Sequence, residues 1–381
     1  MRVAVVAHRA LYINGHGGLE RAATELATGF AARGVEVELI SSRLRSGVAA
    51  DLGRFPFRVT LLPPSLRDGV RGWWDYRRWT AEVARYLPGV RADFVVSFYG
   101  DLHAVTGGPP SLVFPFGLEW LVTPGFHGLG LRSLYGPMLR RGVRQATYFG
   151  TAGPWHTKRM RGLLATFAEP MVIHNWKRPD PPLLPREEAR SALGIPADAV
   201  LLGIVSRLVA DKQIHLAVEA VRRLRPEFPH LRLVIAGEGR DRARLEAAAG
   251  GDRGVAFLGR VDDATARLLI RASDATVNVA RTEYQLFQVI EALAVGTPVL
   301  CTDAERQEGL IEHGRTGFAL RAVDVESVVE GLRWVIGLRT PERVQVEASC
   351  RAAVAEGYTL EDAVNRVLQL AARGQPHSNS T

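Results

Sequence analysis

The chain has 381 residues, 47% of them hydrophobic, which is enough for two domains that each bury a core. Its two cysteines, Cys301 and Cys350, exclude a disulfide framework and favour a reducing compartment. The sequence shows neither a signal peptide nor an apolar run close to the ~20 residues that span a bilayer. We therefore expect a cytoplasmic protein, either soluble or peripheral at the inner face of a membrane.

The formal charge of +8 is distributed unevenly along the chain. Residues 1–170 contain 21 Lys and Arg against 12 Asp and Glu, whereas residues 171–381 contain 27 against 28. An anionic lipid surface, an anionic acceptor or nucleic acid could each be attracted to the basic half. An arginine-rich genome explains the charge equally well, because lysine is almost absent. Nucleic acid is not expected as a partner, since no recognisable nucleic-acid-binding module accompanies the charge.

The first half alternates short apolar segments with helical segments, a pattern that predicts a doubly wound α/β domain. A glycine-rich turn, from Asn14 to Arg21, separates the first strand from the first helix and would let a ligand approach the backbone. Its spacing differs from the dinucleotide-binding pattern. The predicted strands are Arg2–Ala7, Val35–Ile40, Arg58–Leu62, Asp93–Phe98, Ser111–Phe116 and Pro170–His174.

Two polar residues, Asp101 and His103, follow the fourth predicted strand of this half. Because ligands of open α/β sheets collect beyond the carboxyl ends of the strands, both residues are candidates for a cleft.

Two further segments of the first half leave alternatives open. Trp73, Trp74 and Trp79 either form a wall that faces a sugar or lipid, or pack a helix on its sheet. The basic segment 128–163 either contributes an amphipathic helix that rests on an anionic membrane or forms a solvated helix face. Its basic residues are Arg132, Arg140, Arg141, Arg144, Lys158, Arg159 and Arg161.

Prolines mark the boundary between the halves, in a stiff segment from Lys177 to Pro185. Beyond it the alternation of strands and helices begins again. Strands are predicted at Val200–Val205, Leu231–Ala236, Val255–Leu258, Ala275–Val279 and Val299–Thr302. The last helices are predicted at about Val325–Ile336, Pro341–Glu356 and Leu360–Ala372.

The stretch 278–298 has the most informative pattern in the chain. A polar turn after an apolar strand contains Glu283, and the following helix contains Glu291 and stops at Gly296. Eight residues separate the two glutamates, which is roughly 12 Å along a helix axis. A helix N-terminus near Glu283 would suit phosphate, because its N–H groups carry partial positive charge. A ligand with hydroxyls at both ends and a diphosphate between them, such as a nucleotide sugar, would match this arrangement.

This stretch resembles the donor-site signature of the retaining GT-B glycosyltransferases of family four. That signature is Glu-Gly-Phe-Gly, a short apolar run, and Glu-Ala-Met-Ala-x-Gly-x-Pro-Val. The chain departs from it at Tyr284, Gln285, Leu286 and Leu293. The matching residues are Glu283, Glu291, Ala292, Ala294, Gly296, Pro298 and Val299.

Other segments resemble the same family in order along the chain. Residues 206–213 are similar to the family's Gly-Arg-Leu-x-x-x-Lys-Gly, with Ser206 and Gln213 in place of the two glycines. Gly17-Gly18-Leu19-Glu20-Arg21 resembles the family's Gly-Gly-x-Glu-Arg loop, and the Gly237-Glu238-Gly239 turn also fits. Phe116 is a departure, since the family usually has a histidine there, near the transferred sugar. Either another histidine, among His8, His16, His103 and His127, takes its place, or this branch of the family has lost the interaction.

The resemblance implies two Rossmann-like doubly wound α/β domains that face each other across a cleft, the GT-B fold. The implied domains are 1–176 on the acceptor side and 199–358 for the nucleotide sugar, joined by a linker at 177–198. A helix at 359–373 would cross back to the first domain, and 374–381 would form a disordered tail.

The resemblance also implies the roles of individual residues. Arg207 and Lys212 would hold the diphosphate, Glu283 the donor-sugar hydroxyls and Glu291 the ribose, with Glu283, Arg207 and Lys212 as the catalytic residues. Further donor contacts would come from Gly17, Gly18, Gly237, Val261, Tyr284, Gln285, Leu286 and Phe287. The acceptor side would include His16, Asp101, His103 and Phe116.

The predicted activity is metal-independent transfer of a sugar from a nucleoside diphosphate to an acceptor hydroxyl, with retention of anomeric configuration. No cofactor is expected beyond the donor itself, whose base and sugar the sequence leaves open. The acceptor could be a small molecule, a glycan or a lipid-linked carrier. A nucleotide-sugar epimerase, a phosphorylase on the same fold and a non-catalytic sugar-binding protein are the alternatives.

Overall fold

A computed structural model of the chain describes residues 1–11, 13, 18–43, 51–65, 70–98, 108–114, 137, 140–164, 169–177, 184–280, 287–302 and 307–374. Its internal contacts divide the chain into two units. The first comprises Met1–Asn175 together with the segment that begins at Leu360, and the second comprises Trp176–Thr359.

The first unit is built on a sheet of seven parallel strands. These are β1 (Arg2–Val6), β2 (Glu36–Ser42), β3 (Arg58–Leu62), β4 (Phe94–Phe98), β5 (Ser111–Phe114), β6 (Tyr148–Thr151) and β7 (Glu169–Val172). The strand order is β3-β2-β1-β4-β5-β6-β7. Strands β1, β4 and β5 lie at the centre of the sheet and are buried almost throughout, as expected for a sheet covered on both faces.

The second unit has a parallel sheet of six strands. They are β8 (Val200–Val205), β9 (Leu231–Ala236), β10 (Val255–Gly259), β11 (Ala275–Asn278), β12 (Val299–Thr302) and β13 (Gly317–Leu320), in the order β10-β9-β8-β11-β12-β13.

The helices connect consecutive strands, and in the second unit they cover both faces of the sheet. Leu202 and Ile204 of β8 pack into one core cluster, whereas Leu201 faces another. The predicted doubly wound organisation is therefore confirmed. In chain order the helices are α1 (Gly18–Ala32), α2 (Val70–Tyr86), α3 (Pro154–Leu164), α4 (Arg186–Ala192), α5 (Ile214–Leu224), α6 (Arg242–Ala249), α7 (Asp263–Ala272), α8 (Phe287–Ala294), α9 (Val325–Gly337), α10 (Thr340–Ala353) and α11 (Leu360–Arg373).

The last helix, α11, packs on α1 within the first unit. Gly29 of α1 allows the two helices to approach closely, since a Cβ built there would lie 2.5 Å from Cγ2 of Val364. Arg33 and Glu361 form an ion pair of 2.6 Å beside this contact. Val364, Val367 and Leu370 of α11 are buried.

The structure departs from the sequence prediction in two places. Strand β6 was not predicted, because a four-residue Tyr-Phe-Gly-Thr segment has no clear alternation of apolar and polar side chains. Helix α4 lies inside the segment 177–198 that was predicted as a linker, and its Ala189 and Arg190 are buried. In the basic segment 128–163, β6 separates helical residues 140–145 from α3, and both alternatives for this segment stay open.

The tryptophan alternative is settled for one of the three residues, Trp79. Trp79 is buried in the first core together with Tyr76, whereas Trp74 of the same helix is 58% exposed. Of the predicted tail 374–381, residues 375–381 lie outside the described residues. Among the described helices, none is both long enough and apolar enough to cross a bilayer.

Candidate functional site

The carboxyl edge of the second sheet contains the predicted donor residues of the second unit that the structure describes. In the sheet, β8 lies between β9 and β11. Helix α5 connects β8 to β9 along the chain. Ala275 pairs with Leu202 and Thr276 with Gly203, so β8 and β11 end side by side. The loops that leave them therefore start at the topological switch point of this sheet, where ligands of open α/β sheets bind.

Arg207 and Lys212 belong to the loop that follows β8. Two backbone hydrogen bonds fold this loop on itself, from Val209 N–H to the Arg207 carbonyl (3.1 Å) and from Lys212 N–H to the Val209 carbonyl (3.0 Å). Arg207 is exposed, and its guanidinium makes no hydrogen bond or ion pair with the residues that the structure describes. Lys212 is half-buried at the end of a short 3-10 turn, Ala210–Lys212. The structure thus presents both cations on one short, folded loop.

Gln213 explains why a glycine is typical at this position. Its backbone is left-handed, with φ +50° and ψ +30°, a conformation that glycine adopts without strain. The side chain turns back and donates from Nε2 to the Ala210 carbonyl (2.6 Å). Helix α5 begins directly after it, and among the described residues no side chain caps that end. An uncapped helix N-terminus, which favours anions, therefore lies next to Lys212.

Gly237 and Gly239 hold the neighbouring loop against the Arg207 loop. Ser206 N–H donates to the Ala236 carbonyl (3.0 Å), and Leu208 N–H donates to the Glu238 carbonyl (2.9 Å). A Cβ at Gly237 would lie 1.8 Å from the Ser206 carbonyl oxygen, and one at Gly239 would lie 2.1 Å from that of Leu208. The structure therefore gives these glycines a packing role that sequence reasoning missed. A direct contact between Gly237 and the donor stays a prediction.

The third loop of this edge, after β10, is attached to the second. Gly237 N–H donates to the Gly259 carbonyl (2.7 Å). Val261 is half-buried against the core cluster that contains Leu269, and Asp262 Oδ1 caps α7 by accepting from Thr265 N–H (2.8 Å). The loops after β8, β9 and β10 thus form a platform connected by backbone hydrogen bonds.

The loop 281–286, which contains Glu283, Tyr284, Gln285 and Leu286, lies outside the described residues. The segments on either side of it are described. Asn278 Oδ1 accepts from Ala280 N–H (3.1 Å), and Thr302 Oγ1 donates to the Ala280 carbonyl (3.3 Å).

The other end of this loop meets α8 at Phe287. Its ring packs edge-on against buried Trp176, with centroids 5.5 Å apart and planes at 84°. Glu291 lies one turn further along α8 and is half-buried. The helix ends as predicted, and Gly296 N–H donates to the Leu293 carbonyl (2.9 Å). Sequence reasoning gave no role to Trp176, because its partner is 111 residues away.

The predicted acceptor residues follow three neighbouring strands of the first unit. Val6 pairs with Ser97, and Phe98 with Phe114, so β1, β4 and β5 end together at the switch point of that sheet. Gly18 is the exposed first residue of α1. The remaining candidates of this unit, His16, Gly17, Asp101, His103 and Phe116, lie outside the described residues.

His8 follows β1 directly and is one of the histidines considered as a substitute at Phe116. Its ring packs edge-on against Tyr76 (5.6 Å) and Trp79 (6.3 Å). Burial, with a smaller contribution from Arg9, lowers the pKa of His8 to about 3. The imidazole is therefore neutral at physiological pH, and it could exchange hydrogen bonds but carry no charge.

Of the residues that the structure describes, no three His, Cys, Asp or Glu side chains are grouped so that they could hold a metal ion. Metal-independent transfer stays a prediction.

Comparison with known proteins finds a family model that matches part of the chain. The model of the family "Glycosyl transferases group 1" matches residues 185–350. The chain is 28% identical over 131 residues to alpha-monoglucosyldiacylglycerol synthase of Acholeplasma laidlawii, a match that covers 34% of the chain and 33% of the synthase. The chain thus matches about a third of the length of this curated relative.

Solved structures share the fold over almost the whole chain. Sucrose-phosphate synthase from Thermosynechococcus elongatus superposes with a TM-score of 0.82 at 17% identity, covering 98% of each chain. Anabaena HepE in complex with UDP and glucose superposes with a TM-score of 0.72 at 16% identity, covering 98% of this chain and 100% of the other. These likenesses show the GT-B fold that the sequence predicted. The match to the glycosyl transferases group 1 model thus covers less than half of the chain, and the likeness over the whole chain is one of fold.

Proposed function

We propose that this protein is a retaining glycosyltransferase that moves a sugar from a nucleoside diphosphate to an acceptor hydroxyl without a metal ion. One observation carries the proposal. Arg207, Lys212 and the uncapped start of α5 lie together at the switch point, beside the strand that leads to Glu283. This arrangement suits an anionic ligand with a sugar on one side.

The cationic loop would stabilise the leaving group. Transfer breaks the bond between the anomeric carbon and a diphosphate oxygen, and negative charge grows on the departing diphosphate. The Arg207 guanidinium can donate two parallel hydrogen bonds to phosphate oxygens, and the Lys212 ammonium acts as a compact point charge. Removing one preorganised donor of this kind typically costs a factor of about 10²–10³ in turnover.

Lys212 is one of three lysines in a chain that has 48 Lys and Arg. Arginine otherwise serves as the cation of this protein almost everywhere. A lysine on this short loop therefore favours a specific requirement for a compact ammonium group over a general need for charge.

The two glutamates would bind the hydroxyls on either side of the diphosphate. Glu291 lies in the second turn of α8, behind the start of the helix, and would reach the ribose. Glu283 belongs to the preceding loop and would bind the donor sugar. Trp176 and Asn278 support this role indirectly, because they hold the two ends of that loop.

The donor class has support from solved relatives of the fold. HepE has been solved with UDP and glucose and with UDP-glucose, which favours a nucleotide sugar as donor here. Tyr284, Gln285 and Leu286 depart from the family signature, so the base and sugar need a direct test.

The acceptor would be a small molecule, a glycan or a lipid-linked carrier. The resemblance to a synthase of a glycosylated diacylglycerol favours a lipid. Exposed Arg140, Arg141, Arg144 and Lys158 of the basic first half would then favour peripheral contact with an anionic membrane.

A thermal-shift screen against UDP-, GDP-, ADP- and TDP-sugars tests the donor. A ligand that binds only the native state stabilises it by about 2.7 kcal/mol at 100 times its dissociation constant, so the true donor should raise the melting temperature. The matching donor should then yield nucleoside diphosphate and a larger glycoside. Stabilisation without any product would favour a sugar-binding protein, and an epimerised donor or sugar phosphate would favour the other enzymes of this fold.

A further inference from the structure

The amino edge of the second sheet contains a cluster of buried arginines that the proposed transfer does not use. Its centre is Asp274, directly before β11, at the opposite end of the strands from Arg207 and Lys212. Helices α4, α7 and α10 surround it. Their contributions to the cluster are Arg186, Arg190, Arg271, Arg343 and Glu347.

Both carboxylate oxygens of Asp274 are engaged. Oδ2 accepts from Leu201 N–H (2.7 Å) and from Arg190 Nη1 (3.3 Å). Oδ1 contacts Arg343 Nη1 and lies 2.5 Å from Arg186 Nη2. Burial alone would raise the pKa of Asp274, but Arg186, Arg343 and the Leu201 N–H outweigh it and lower the pKa, so the carboxylate stays charged. It can therefore balance only one of the cations around it.

Glu347, the second carboxylate of the cluster, does not neutralise the remaining positive charge. Glu347 Oε2 lies 3.5 Å from Arg271 Nη1, and Oε1 lies 3.9 Å from Arg186 Nη1. Four arginines thus face two carboxylates, which leaves two positive charges. The side chains of Arg186, Arg190 and Arg271 are only 13%, 9% and 13% exposed, so water screens this excess poorly. Arg351 reaches Glu347 from the solvent side, where it is 42% exposed.

Some of the buried donors also lack an acceptor. Within the described part of the chain, Arg186 Nε, Arg186 Nη2 and Arg190 Nε have no hydrogen-bond partner. Arg186 Nη2 is close to Asp274 Oδ1, but the angle between them does not meet hydrogen-bond geometry. A buried donor without an acceptor destabilises the folded state, and more strongly when the group is charged.

A pocket opens beside this cluster, and Arg186 is part of its lining. Its charged lining is Arg186, Arg271 and Arg343 against Asp274 and Glu347, a net charge of +1. Its space suits about one water-sized particle. Water would fill the space without removing the charge, whereas a phosphate group is too large for it.

We propose that this pocket binds one small monovalent anion of the size of chloride. Such an ion accepts several N–H donors without a fixed direction, and its single charge neutralises the lining. It would join α4, α7 and α10 at the amino edge of the sheet and stabilise the second unit. The site is independent of the sugar transfer proposed above.

Anomalous diffraction from crystals of the full chain soaked in bromide tests the site directly. We expect a bromide peak among Arg186, Arg271 and Arg343. Absence of a peak there, in crystals that bind bromide elsewhere, overturns the proposal. This measurement uses the unaltered protein and does not depend on the folding of a variant.

Thermal unfolding gives the second test, with chloride replacing gluconate at constant ionic strength. Chloride should raise the melting temperature of the wild type along a saturable curve, by about 5 °C at 100 times its dissociation constant. Arg186→Met should lose this rise. Arg223→Met removes an exposed arginine of α5 and should keep it. An unsaturable rise, an equal rise in the Arg186 variant, or a phosphate effect in place of the chloride effect contradicts the proposal.

Discussion

The two units share one sheet plan but differ in how much of their chemistry their own sequence reveals. In each sheet the switch point lies between the first strand and the fourth, at β1 and β4 or at β8 and β11. In the second unit, the loops beyond this point are joined by backbone hydrogen bonds and contain the family's residue pattern. In the first unit, the fold is shared with solved relatives while the family model matches none of its residues.

This difference has a physical reason within the proposed function. Every nucleoside-diphosphate sugar presents the same diphosphate, so the loops that bind it must meet the same geometric demands. Gly237 and Gly239 show such a demand, because no other residue leaves room for the carbonyls they face. Acceptors differ in chemistry, and a domain that binds them is free to change its loops while it keeps its sheet. The predictions below test this division, in order of decreasing effect.

Replacement of Lys212 by alanine should lower turnover by a factor of about 10²–10³, equivalent to ~3–4 kcal/mol of transition-state stabilisation. The loop is folded by its backbone, so the melting temperature should change little. Steady-state kinetics with the identified donor measure the effect. Arg223→Ala, which removes an exposed cation on α5, is the matched control. Unchanged turnover in the folded Lys212 variant would remove this residue from the mechanism.

Gly237→Ala should destabilise the second unit by about 3 kcal/mol or more. The added methyl group would collide with the Ser206 backbone, and its residue would have to adopt φ +143°, which alanine rarely tolerates. Chemical denaturation measures the loss. Gly162→Ala is the control, because a Cβ there meets nothing within 4 Å. Equal stability of the two variants would show that the platform does not require this close approach.

Acid should destabilise the first unit through His156. Burial lowers its pKa to about 4 from the ordinary 6.5, so between pH 6.5 and pH 4 the unfolded chain binds a proton that the folded chain excludes. Stability is then complete above pH 6.5 and decreases as the pH falls, by about 2 kcal/mol at pH 5.

Urea denaturation of the His156→Asn variant checks this contribution. Asparagine retains an acceptor for the Ala152 N–H, which His156 Nδ1 now accepts at 3.0 Å. In the variant, the free energy of unfolding should depend less steeply on pH, by the amount that corresponds to the uptake of about one proton on unfolding. An unaltered slope in the His156 variant would contradict the assignment.

Position 213 should show the smallest effect. Gln213→Gly should keep stability within ~1 kcal/mol, since the relieved strain offsets the lost hydrogen bond to Ala210. Gln213→Val should cost about 1–2 kcal/mol, because a β-branched side chain is disfavoured at positive φ. The order of melting temperatures, glycine above valine, checks the local geometry, and the reverse order would contradict it.

The sequence predicted the strands best where an apolar run stands between clear turn signals. β3, β8, β9 and β12 have the predicted bounds. β6 was missed because a short strand with a glycine has little periodicity. Helix α10 ends at Ala353 rather than Glu356, within the usual error for a helix end.

The features of the candidate site were likewise predictable only where a local sequence pattern marks them. The loop of Arg207 and Lys212 and the end of α8 follow from local patterns that a sequence displays. The approach of Gly237 to Ser206, the contact between Trp176 and Phe287, and the charge cluster around Asp274 depend on residues distant in the chain. No local pattern contains such information, because the partner is determined only when the sheet has formed.

The packing of α11 on α1 also constrains how the molecule is made. Synthesis proceeds from the amino end, so the first seven-stranded sheet is complete on the ribosome long before residues 360–373 emerge. Until then, the face of α1 around Gly29 has no cover from this helix. A fragment that stops at Asn175 would expose the same apolar strip permanently, which makes it a poor choice for expressing the amino-terminal part alone.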